Sequence, residues 1–412
     1  MKVYRVGGWV RDHLLGVPTA DCDWVVVGGA EEEMLAKGFR RVGKDFPVYL
    51  HPETHEEYAL ARTERKQGLG YTGFAVDAAR SVTLEQDLAR RDLTINAMAE
   101  DADGTLIDPY GGRADLARGI LRHVTGAFVE DPLRVLRVAR FAARLDFTVA
   151  PETLALMRTM AASGELATLT PERVWRELER ALGEAHPQRF FEVLRECGAL
   201  VAVLPEIDAL FGVPQPAVHH PEVDCGAHLL LCLAEAARVG AGGRVRFAVL
   251  THDLGKATTP AASLPRHIGH EERSVELLEA LARRLRVPQA HRELAVLVAR
   301  HHTTVHRALE LRHSTLVDLL DRVDAWRRPE RLEELLEACA IDARGRGGRA
   351  GAPYPQAARV RWAAHHARTV DVGALVATHG AGPHLRELVR RARSEALATA
   401  PEDWRDDPQA QV

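Results

Sequence analysis

The segment that decides the fold covers residues 20–28 and reads ADCDWVVVG. Its second half is aromatic and β-branched, a composition that favours a strand. Side chains alternate along a strand, so the carboxylates of Asp21 and Asp23 point to the same side. Two such carboxylates repel each other unless a cation lies between them, and hard oxygen ligands suit Mg²⁺. The segment therefore predicts a magnesium-binding strand; the alternative is an ordinary polar strand end.

A phosphate-binding turn is predicted immediately upstream. Residues 3–6, VYRV, have the composition of a strand, and residues 7–15, GGWVRDHLL, read as a glycine turn that opens a helix. Such a turn lets backbone N–H groups approach a phosphate at the positive end of the helix dipole. Gly8 and Arg11 are the candidate phosphate contacts.

The two motifs together resemble the head of the class II tRNA nucleotidyltransferases, the CCA-adding enzymes of the polymerase-β-like superfamily. GGWVRD at residues 7–12 and DCD at residues 21–23 carry this resemblance. It implies a small mixed sheet with helices, catalysis by Asp21 and Asp23 with bound Mg²⁺, and CTP, ATP and tRNA as partners. Glu64 is a candidate third carboxylate, with an exposed strand-end glutamate as the alternative.

A further phosphate contact is predicted at residues 90–92, RRD, which follow a helical stretch at residues 83–89. A charged triplet between buried segments is typical of a helix end. The functional alternative is that Arg91 reaches the triphosphate, since a guanidinium fits phosphate oxygens. The triplet also matches a motif of the same family, which favours the second interpretation.

An arginine stripe is predicted on the helix that follows Glu130. Residues 130–145 read EDPLRVLRVARFAARL, with Pro132 suited to the first helical position and Asp131 to the N-cap. At 100° per residue, one third of the helix circumference carries four arginines, Arg134, Arg137, Arg140 and Arg144. A solvated face normally mixes both signs of charge. The all-arginine stripe therefore predicts an anionic partner.

The pair of Asp131 and Arg134 predicts how a base is selected. A carboxylate only accepts hydrogen bonds and a guanidinium only donates them. Cytosine and adenine offer an amino donor beside a ring-nitrogen acceptor, whereas uracil and guanine offer a carbonyl beside an N–H. By the logic of groove readout, the pair accepts C and A and rejects U and G. The family motif Glu-Asp-x-x-Arg matches at residues 130–134, and the resemblance assigns this role to the pair and nucleotide binding to Arg137 and Arg140.

Histidines gather in the second half of the chain. The pair His252-Asp253 ends the apolar residues 247–250, so both side chains leave one turn, and His302 and His306 share one helical face. Imidazole with carboxylate suits Mn, Fe, Co, Ni or Zn. The pattern resembles an HD phosphohydrolase domain; the alternative is a degenerate domain that only stiffens the fold.

The resemblance implies a divalent transition metal, with Ni²⁺ among the candidates, held by His228, His252 and Asp253. The fourth ligand is open among three carboxylates: Asp342 is preferred, and Asp321 and Asp324 compete with it. His270 is a candidate supporting residue. Metal-activated water attacking a phosphate ester is the chemistry that this implies.

The expected fold class is α+β at the front and all-α behind. We predict a nucleotidyltransferase head at residues 1–122, a helical neck and body for base selection and tRNA binding at 123–222, an HD domain at 223–345 and a helical tail at 346–412. Within the head, the glycine-rich residues 65–73 are predicted to form a loop.

Composition limits the remaining possibilities. The sequence lacks an apolar run near the roughly 18 residues that span a membrane, and its five cysteines form no Cys-x-x-Cys pair. We expect reduced thiols, a cytoplasmic protein and no membrane. The net charge of −4 argues against a broad electrostatic grip on RNA and for placed contacts. Monomer and homo-oligomer both remain open.

The expected activity is addition of CMP, CMP and AMP to a tRNA 3′ end, with a separate phosphohydrolase. The nearest alternative is a poly(A) polymerase with the same head, although those enzymes tend to carry a basic tail and residues 401–412 are acidic. Two further alternatives are a phosphohydrolase whose head only binds RNA and a catalytically silent RNA-binding scaffold.

Overall fold

The structure is a computed structural model, and it describes residues 1–19, 22–42, 48–66, 74–218 and 220–405, with the backbone alone at 64–66 and 74–77. The chain forms two compact units. The first comprises Met1–Ala181 and Arg189–Val203, and the second comprises Leu182–Gln188 and Leu204–Val412.

A mixed sheet forms the centre of the first unit. The strands in chain order are β1 (Lys2–Val6), β2 (Asp23–Val27), β3 (Arg40–Val42), β4 (Val48–Leu50), β5 (Glu57–Leu60), β6 (Thr63–Lys66), β7 (Phe74–Asp77), β8 (Ala99–Glu100), β9 (Leu106–Ile107), β10 (Ile120–Leu121) and β11 (Thr148–Val149). Seven of them form one sheet in the order β3-β4-β5-β2-β1-β8-β9. Strands β2 and β5 pair in parallel, and the other described pairs of this sheet are antiparallel.

The helices from the start of the chain to residue 203 are α1 (Gly8–Leu14), α2 (Glu31–Ala36), α3 (Leu84–Ala89), α4 (Gly112–Arg118), α5 (Leu133–Leu145), α6 (Pro151–Ala162), α7 (Pro171–Gly183), α8 (Gln188–Glu196) and α9 (Leu200–Val203). Side chains of successive residues in β2 point to opposite faces of the sheet. Both faces are therefore apolar at this strand, and helices cover both of them. Val25 lies in a buried cluster with Leu88 of α3, and Val26 lies in another with Met34 of α2.

The sheet register positions the predicted magnesium ligand. Asp23, the first residue of β2, pairs with Val6, the last residue of β1. The aspartate therefore lies next to the turn at Gly7 and Gly8, where β1 ends and α1 begins. The predicted strand–turn–helix and the predicted strand after Asp23 are both present.

The loop prediction for residues 65–73 was wrong at its beginning. Arg65 and Lys66 belong to β6 and pair with Ala75 and Phe74 of β7. The glycines that favour a loop begin only at Gly68, so the extended residues before it remain free to form a hairpin strand. Residues 67–73 lie outside the described part of the chain.

The second unit is helical. Its helices are α10 (Pro205–Asp208), α11 (Cys225–Arg238), α12 (Gly243–Thr251), α13 (His270–Leu285), α14 (Gln289–His306), α15 (His313–Arg322), α16 (Pro329–Arg344), α17 (Pro355–Ala367), α18 (Val372–His379) and α19 (Pro383–Thr399). Every residue of α12 from Val245 to Thr251 is buried. A helix that is buried on all sides must be surrounded by others, and α11, α14 and α16 pack around α12. His252 and Asp253 follow its last residue and so enter the interior.

The architecture confirms the predicted fold class, an α+β head followed by helices. The four domain boundaries remain predictions. Every described helix is too short or too polar to cross a lipid bilayer. All five cysteines are free and buried.

Candidate active sites

A cavity of about 450 Å³ opens in the first unit. Its lining residues are Gly7, Gly8, Arg11, Asp23, Arg90, Arg91, Asp92, Asn96, Asp131, Arg134, Arg137, Arg140, Phe141, Arg144 and Arg180. Eight of these 15 residues are arginines and three are aspartates, so the walls carry an excess of positive charge that suits a polyanion such as a triphosphate. The predicted nucleotide-addition residues that line this cavity are Gly8, Arg11, Asp23, Arg91, Asp131, Arg134, Arg137 and Arg140. Asp21 and the side chain of Glu64 lie outside the described part of the chain.

The glycine turn is closely covered by Arg91. Gly7 adopts a positive φ of 67°, which favours glycine. A Cβ atom at this position would lie 2.6 Å from Nη1 of Arg91. The guanidinium donates to the backbone oxygen of Asn96 at 3.4 Å and to the Asp87 carboxylate at 3.3 Å. These contacts hold Arg91 over the turn, as a phosphate contact requires.

Replacing Gly7 by alanine is expected to weaken the binding of a nucleoside triphosphate about tenfold or more, because the new methyl group displaces the Arg91 guanidinium and a charge-assisted hydrogen bond is worth roughly 1.5–3 kcal/mol. Equilibrium titration with CTP and Mg²⁺ measures the effect. The double variant Gly7→Ala/Arg91→Gln separates the two causes. If the methyl group acts through Arg91, the double variant should lose no more affinity than Arg91→Gln alone; additive losses would mean that backbone strain at Gly7 is responsible.

Arg11 is a buried residue of α1 that stabilises the glycine turn. It is only 3 % exposed. Its Nε and Nη2 atoms donate to the Asp12 carboxylate at 2.8 and 3.0 Å, and Nη1 donates to Oδ1 of Asn96 at 2.6 Å. Arg11 thus connects α1 to the segment after residue 90, and its contact with a phosphate stays a prediction.

Three of the four arginines in the stripe on α5 are paired with carboxylates from other segments, so the stripe is not a solvated face. Arg137 binds Asp92 at 2.7 Å, Arg140 binds Glu177 at 2.7 Å and Arg144 binds Asp12 at 2.9 Å. Burial raises the pKa of Asp92, but Arg137 and Asn96 outweigh it and hold that pKa well below its usual range. Asp92 therefore stays charged, and the three ion pairs fix the arginine side chains along the cavity wall.

The predicted base-reading pair lies at the N-terminus of α5. This helix begins at Leu133, with Pro132 and not Asp131 directly before it. Asp131 nevertheless caps it, because Oδ1 accepts from the backbone N–H of Leu133 at 3.0 Å. Its Oδ2 accepts from Nη2 of Arg173 at 2.8 Å. The pair is thus held by backbone and side-chain contacts while both residues line the cavity.

Two hydrogen-bond partners of Arg134 are main-chain oxygens. Nη1 donates to Ala127 at 2.8 Å and Nη2 to Arg90 at 2.5 Å. Arg134 is 8 % exposed, and these bonds fix the plane of its guanidinium.

The sequence analysis did not predict the residues that hold the arginines and Asp131 in place: Asp12, Asp92, Asn96, Arg173 and Glu177. Two features of the sequence could have indicated these residues. Asp92 belongs to the charged triplet at residues 90–92, and Arg173 and Glu177 lie one helical turn apart on α7, so their side chains share one face of that helix.

A second group of polar side chains is buried in the second unit. Nε2 of His228 on α11 lies 3.0 Å from Oδ1 of Asp342 on α16. Nε2 of His252 lies 3.1 Å from Oδ2 of Asp253 and 3.7 Å from Oδ2 of Asp342. The four predicted metal ligands therefore converge from three segments of the chain.

The donor atoms in this group fit a divalent cation. Nδ1 of His252 donates to the backbone oxygen of Val249 at 2.8 Å, so Nε2 presents a lone pair. This Nε2 atom and Oδ1 of Asp253 are buried without a hydrogen-bond partner among the described residues. Burial raises the pKa of Asp253, but His252 and Lys256 hold it well below its usual range. Ionised oxygen and neutral imidazole ligands are what such metals require.

The competing carboxylates lie elsewhere. Asp321 accepts hydrogen bonds from Trp326 and Arg393, and Asp324 accepts from Arg327 at 2.8 Å. Asp342 instead has His306 against its second oxygen at 2.6 Å. The structure thus brings Asp342 to the histidines and leaves the other two at arginines.

Comparisons with known proteins cover nearly the whole chain. Residues 3–122 match the family described as Poly A polymerase head domain, residues 146–211 match the probable RNA and SrmB-binding site of polymerase A, and residues 226–326 match the HD domain. The Multifunctional CCA protein of Nitrosococcus oceani is 60 % identical over 97 % of this chain and 98 % of its own length.

Two solved structures share the architecture. The Bacillus stearothermophilus CCA-adding enzyme in complex with CTP has a TM-score of 0.63 at 25 % identity, over 96 % of this chain and 88 % of that one. The Thermotoga maritima CCA-adding enzyme complexed with tRNA also has a TM-score of 0.63, at 21 % identity over 98 % of this chain and 89 % of that one. The second likeness supports the fold alone.

Proposed function

The chain belongs to the family of the multifunctional CCA proteins, CCA-adding nucleotidyltransferases with an HD domain, and from this premise we propose that it completes the 3′ end of tRNA. It adds CMP, CMP and AMP from CTP and ATP without a nucleic-acid template. In each step the tRNA 3′-oxygen bonds to the α-phosphorus of the nucleotide, and pyrophosphate leaves. The hydroxyl proton passes to a base, for which Glu64 is a candidate; its side chain lies outside the described ones.

The observation that carries this proposal is that Asp23, Arg91, Asp131 and Arg134 line one cavity. Asp23, with its sequence neighbour Asp21, would hold Mg²⁺, which supplies charge for the departing pyrophosphate. Arg91 over the glycine turn binds the triphosphate. Asp131 accepts a hydrogen bond from the amino group of cytosine or adenine, and Arg134 donates a hydrogen bond to the ring nitrogen beside it.

A primer-extension assay tests this function. The substrate is a tRNA that lacks its 3′-terminal CCA, supplied with radiolabelled CTP, ATP, UTP or GTP. We expect two CMP residues and then one AMP, after which synthesis stops, with negligible use of UTP and GTP. Long AMP runs without CMP addition would instead identify a poly(A) polymerase.

We also propose that the HD domain is a metal-dependent phosphohydrolase. His228, His252, Asp253 and Asp342 would hold a divalent transition metal, with Ni²⁺ as the first candidate. Bound metal lowers the pKa of water and supplies a hydroxide nucleophile for phosphate esters. The proposed substrates are 2′,3′-cyclic phosphates, 2′-nucleotides and phosphomonoesters. Glu222 orients the site, since it lies 3.0 Å from Nδ1 of His228 and turns the other ring nitrogen inward.

His252→Ala is expected to reduce hydrolysis of 2′,3′-cyclic AMP at least about 100-fold. The substitution removes a metal ligand, and no neighbouring side chain can supply a ligand atom from the same side. CCA addition by the same preparation should persist, which controls for folding. His291→Ala, on α14 but outside the cluster, is the matched control and should retain hydrolysis. Hydrolysis that survives His252→Ala would reject this site.

Metal removal separates the two activities. Dialysis against a chelator should abolish both, Mg²⁺ should restore nucleotide addition, and Ni²⁺ should restore hydrolysis.

A tRNA-directed enzyme with five free, buried cysteines fits the reducing cytoplasm, where we place the protein in this proposal.

A further inference from the structure

Five histidine rings meet in the buried polar group of the second unit, and four of them are held in the same way. Nδ1 of His228 lies 3.0 Å from Oε1 of Glu222. Nδ1 of His252, His270 and His302 lies 2.8, 2.8 and 3.0 Å from the nearest backbone oxygen. Carboxylate and carbonyl oxygens only accept hydrogen bonds, so Nδ1 carries the hydrogen in these four rings. Each neutral ring therefore presents a lone pair at Nε2.

His306, the fifth ring, is held differently. Its Nδ1 lies 2.7 Å from the hydroxyl oxygen of Tyr354, and its Nε2 lies 2.6 Å from Oδ2 of Asp342. A phenolic hydroxyl can donate as well as accept, whereas a carboxylate can only accept. Nε2 of His306 therefore carries the hydrogen and donates it to Asp342. In the neutral ring this leaves Nδ1 as an acceptor, and the Tyr354 hydroxyl donates to it.

The reverse arrangement does not fit the distance. With the hydrogen on Nδ1, an Nε2 lone pair would face a carboxylate oxygen at 2.6 Å, and a cation would have to lie between them. Two ligand atoms bound at about 2 Å from one tetrahedral ion lie roughly 3.3 Å apart. The contact between His306 and Asp342 is thus a short charge-assisted hydrogen bond, and His306 is a donor at this site.

This donated bond sets the direction of the Asp342 carboxylate. Oδ2 is held by His306, while Oδ1 lies 3.0 Å from Nε2 of His228, on the side of the assigned metal ligands. Rotation of a carboxylate about its terminal bond is soft. Anchoring one oxygen therefore aims the other. Asp342 is only 4 % exposed, so bulk water does not compete for either oxygen.

Tyr354 reaches the site from beyond the residues that match the HD domain. It directly precedes α17, whereas that match ends at residue 326. The side chain is 5 % exposed, and its ring also lines a cavity of about 510 Å³ beside α16 and α17. Alanine at this position would enlarge the cavity, whereas phenylalanine keeps the ring and removes only the hydroxyl.

We propose that Tyr354 is a positioning residue of the HD metal site. Its hydroxyl donates to Nδ1 of His306, which keeps the hydrogen on Nε2, and that hydrogen aims Asp342 at the metal. The inference rests on the proposed function, because Asp342 is one of the ligands assigned to the phosphohydrolase above. Loss of a group that orients a metal ligand typically costs about 10- to 100-fold in metal affinity.

Tyr354→Phe tests the proposal in the full-length protein. Calorimetric titration with Ni²⁺, in excess Mg²⁺ that occupies the head, measures metal affinity, and circular dichroism verifies folding. We expect the dissociation constant for Ni²⁺ to rise about tenfold or more. Tyr110→Phe removes a hydroxyl that donates to a backbone oxygen in the head and should leave this constant unchanged. A folded Tyr354→Phe with the Ni²⁺ affinity of the wild type would overturn the proposal.

His306→Gln shows whether Tyr354 acts through His306. The glutamine amide can donate to Asp342 without help from a hydroxyl. Adding Tyr354→Phe to His306→Gln should therefore weaken Ni²⁺ binding by less than about twofold, the non-additivity expected of two residues that act through one contact. Fully additive losses would mean that Tyr354 acts elsewhere, and the proposal would be wrong.

The position of the hydrogen can also be observed directly. In long-range ¹H–¹⁵N spectra of the metal-free protein labelled with ¹⁵N-histidine, the signals that disappear in His306→Gln belong to His306. We expect the pattern of a ring protonated at Nε2 in the wild type. A His306 ring protonated at Nδ1 alone would contradict the assignment of donor and acceptor.

The outcome is separable from that for the proposed function. Weaker Ni²⁺ binding by Tyr354→Phe, in a protein that hydrolyses no phosphate ester, would reject the phosphohydrolase and keep the positioning role. Hydrolysis by the wild type, together with unchanged Ni²⁺ binding by Tyr354→Phe, would reject the positioning role and keep the phosphohydrolase.

Discussion

Substituting alanine for both Asp21 and Asp23 is expected to lower the rate of nucleotide addition at least about 1,000-fold, which corresponds to roughly 4 kcal/mol of transition-state stabilisation. Asp23 begins β2 and pairs with Val6, so it lies beside the glycine turn and within the arginine-lined cavity. Without the two carboxylates, the arginines still bind a triphosphate, but the departing pyrophosphate loses its cation. We therefore expect the rate of the chemical step to fall far more than the affinity for CTP.

The measurement is single-turnover incorporation of labelled CMP into tRNA, with equilibrium binding of CTP measured separately. Hydrolysis of 2′,3′-cyclic AMP in the same preparation is the folding control and should remain. Asp208→Ala, an aspartate of α10 in the second unit, is the matched substitution. If the double variant still adds nucleotides, the head is not the polymerase, and a phosphohydrolase with an RNA-binding head becomes the better account.

Changing the base-reading pair is expected to alter which nucleotide is used. Asp131→Asn keeps a side chain that caps a helix well, yet it adds a donor where only an acceptor stood. A well-matched two-point contact to a base edge is worth about 1–3 kcal/mol, or about 5- to 150-fold in discrimination. We expect the ratio of kcat/KM for CTP over UTP to fall by that amount, and Arg134→Gln to lower it similarly.

Competition assays with CTP, ATP, UTP and GTP on the same tRNA measure the ratio. Arg158→Gln is the control, because Arg158 is exposed on α6 and its ion pair with Glu196 is long at 3.7 Å. A uniform loss for all four nucleotides in Asp131→Asn would show that the residue shapes the pocket without reading the base.

The parts of the head that sequence could predict are local ones. Asp23, Gly8 and Asp131 each stand beside a strand end or helix start that their own neighbours specify. Their supports could not be foreseen, because Asp92 meets Arg137 and Glu177 meets Arg140 across about 40 residues of chain. The net charge of −4 likewise hides a cavity with eight arginines, since a sum over the chain says nothing of where charges gather.

The HD site shows the same limit. The adjacent pair His252-Asp253 is visible in sequence, whereas Asp342 reaches His228 across 114 residues, so sequence left it in competition with Asp321 and Asp324. Sequence indicated His270 as a supporting residue and put His302 on one helical face with His306, but it did not predict that Nε2 of His270 and Nε2 of His302 lie 3.2 Å apart. Their meeting depends on how α13 and α14 pack, which no local pattern encodes. The β6 strand was missed for a related reason, because pairing with β7 overrides the glycines that follow it.

A crystal structure of the protein with CTP and Mg²⁺ bound tests the central claim most directly. The account predicts the metal on Asp21 and Asp23, the triphosphate between the glycine turn and Arg91, and the cytosine edge within hydrogen-bonding distance of Asp131 and Arg134. A cytosine that lies away from those two side chains while its triphosphate holds the metal would contradict it.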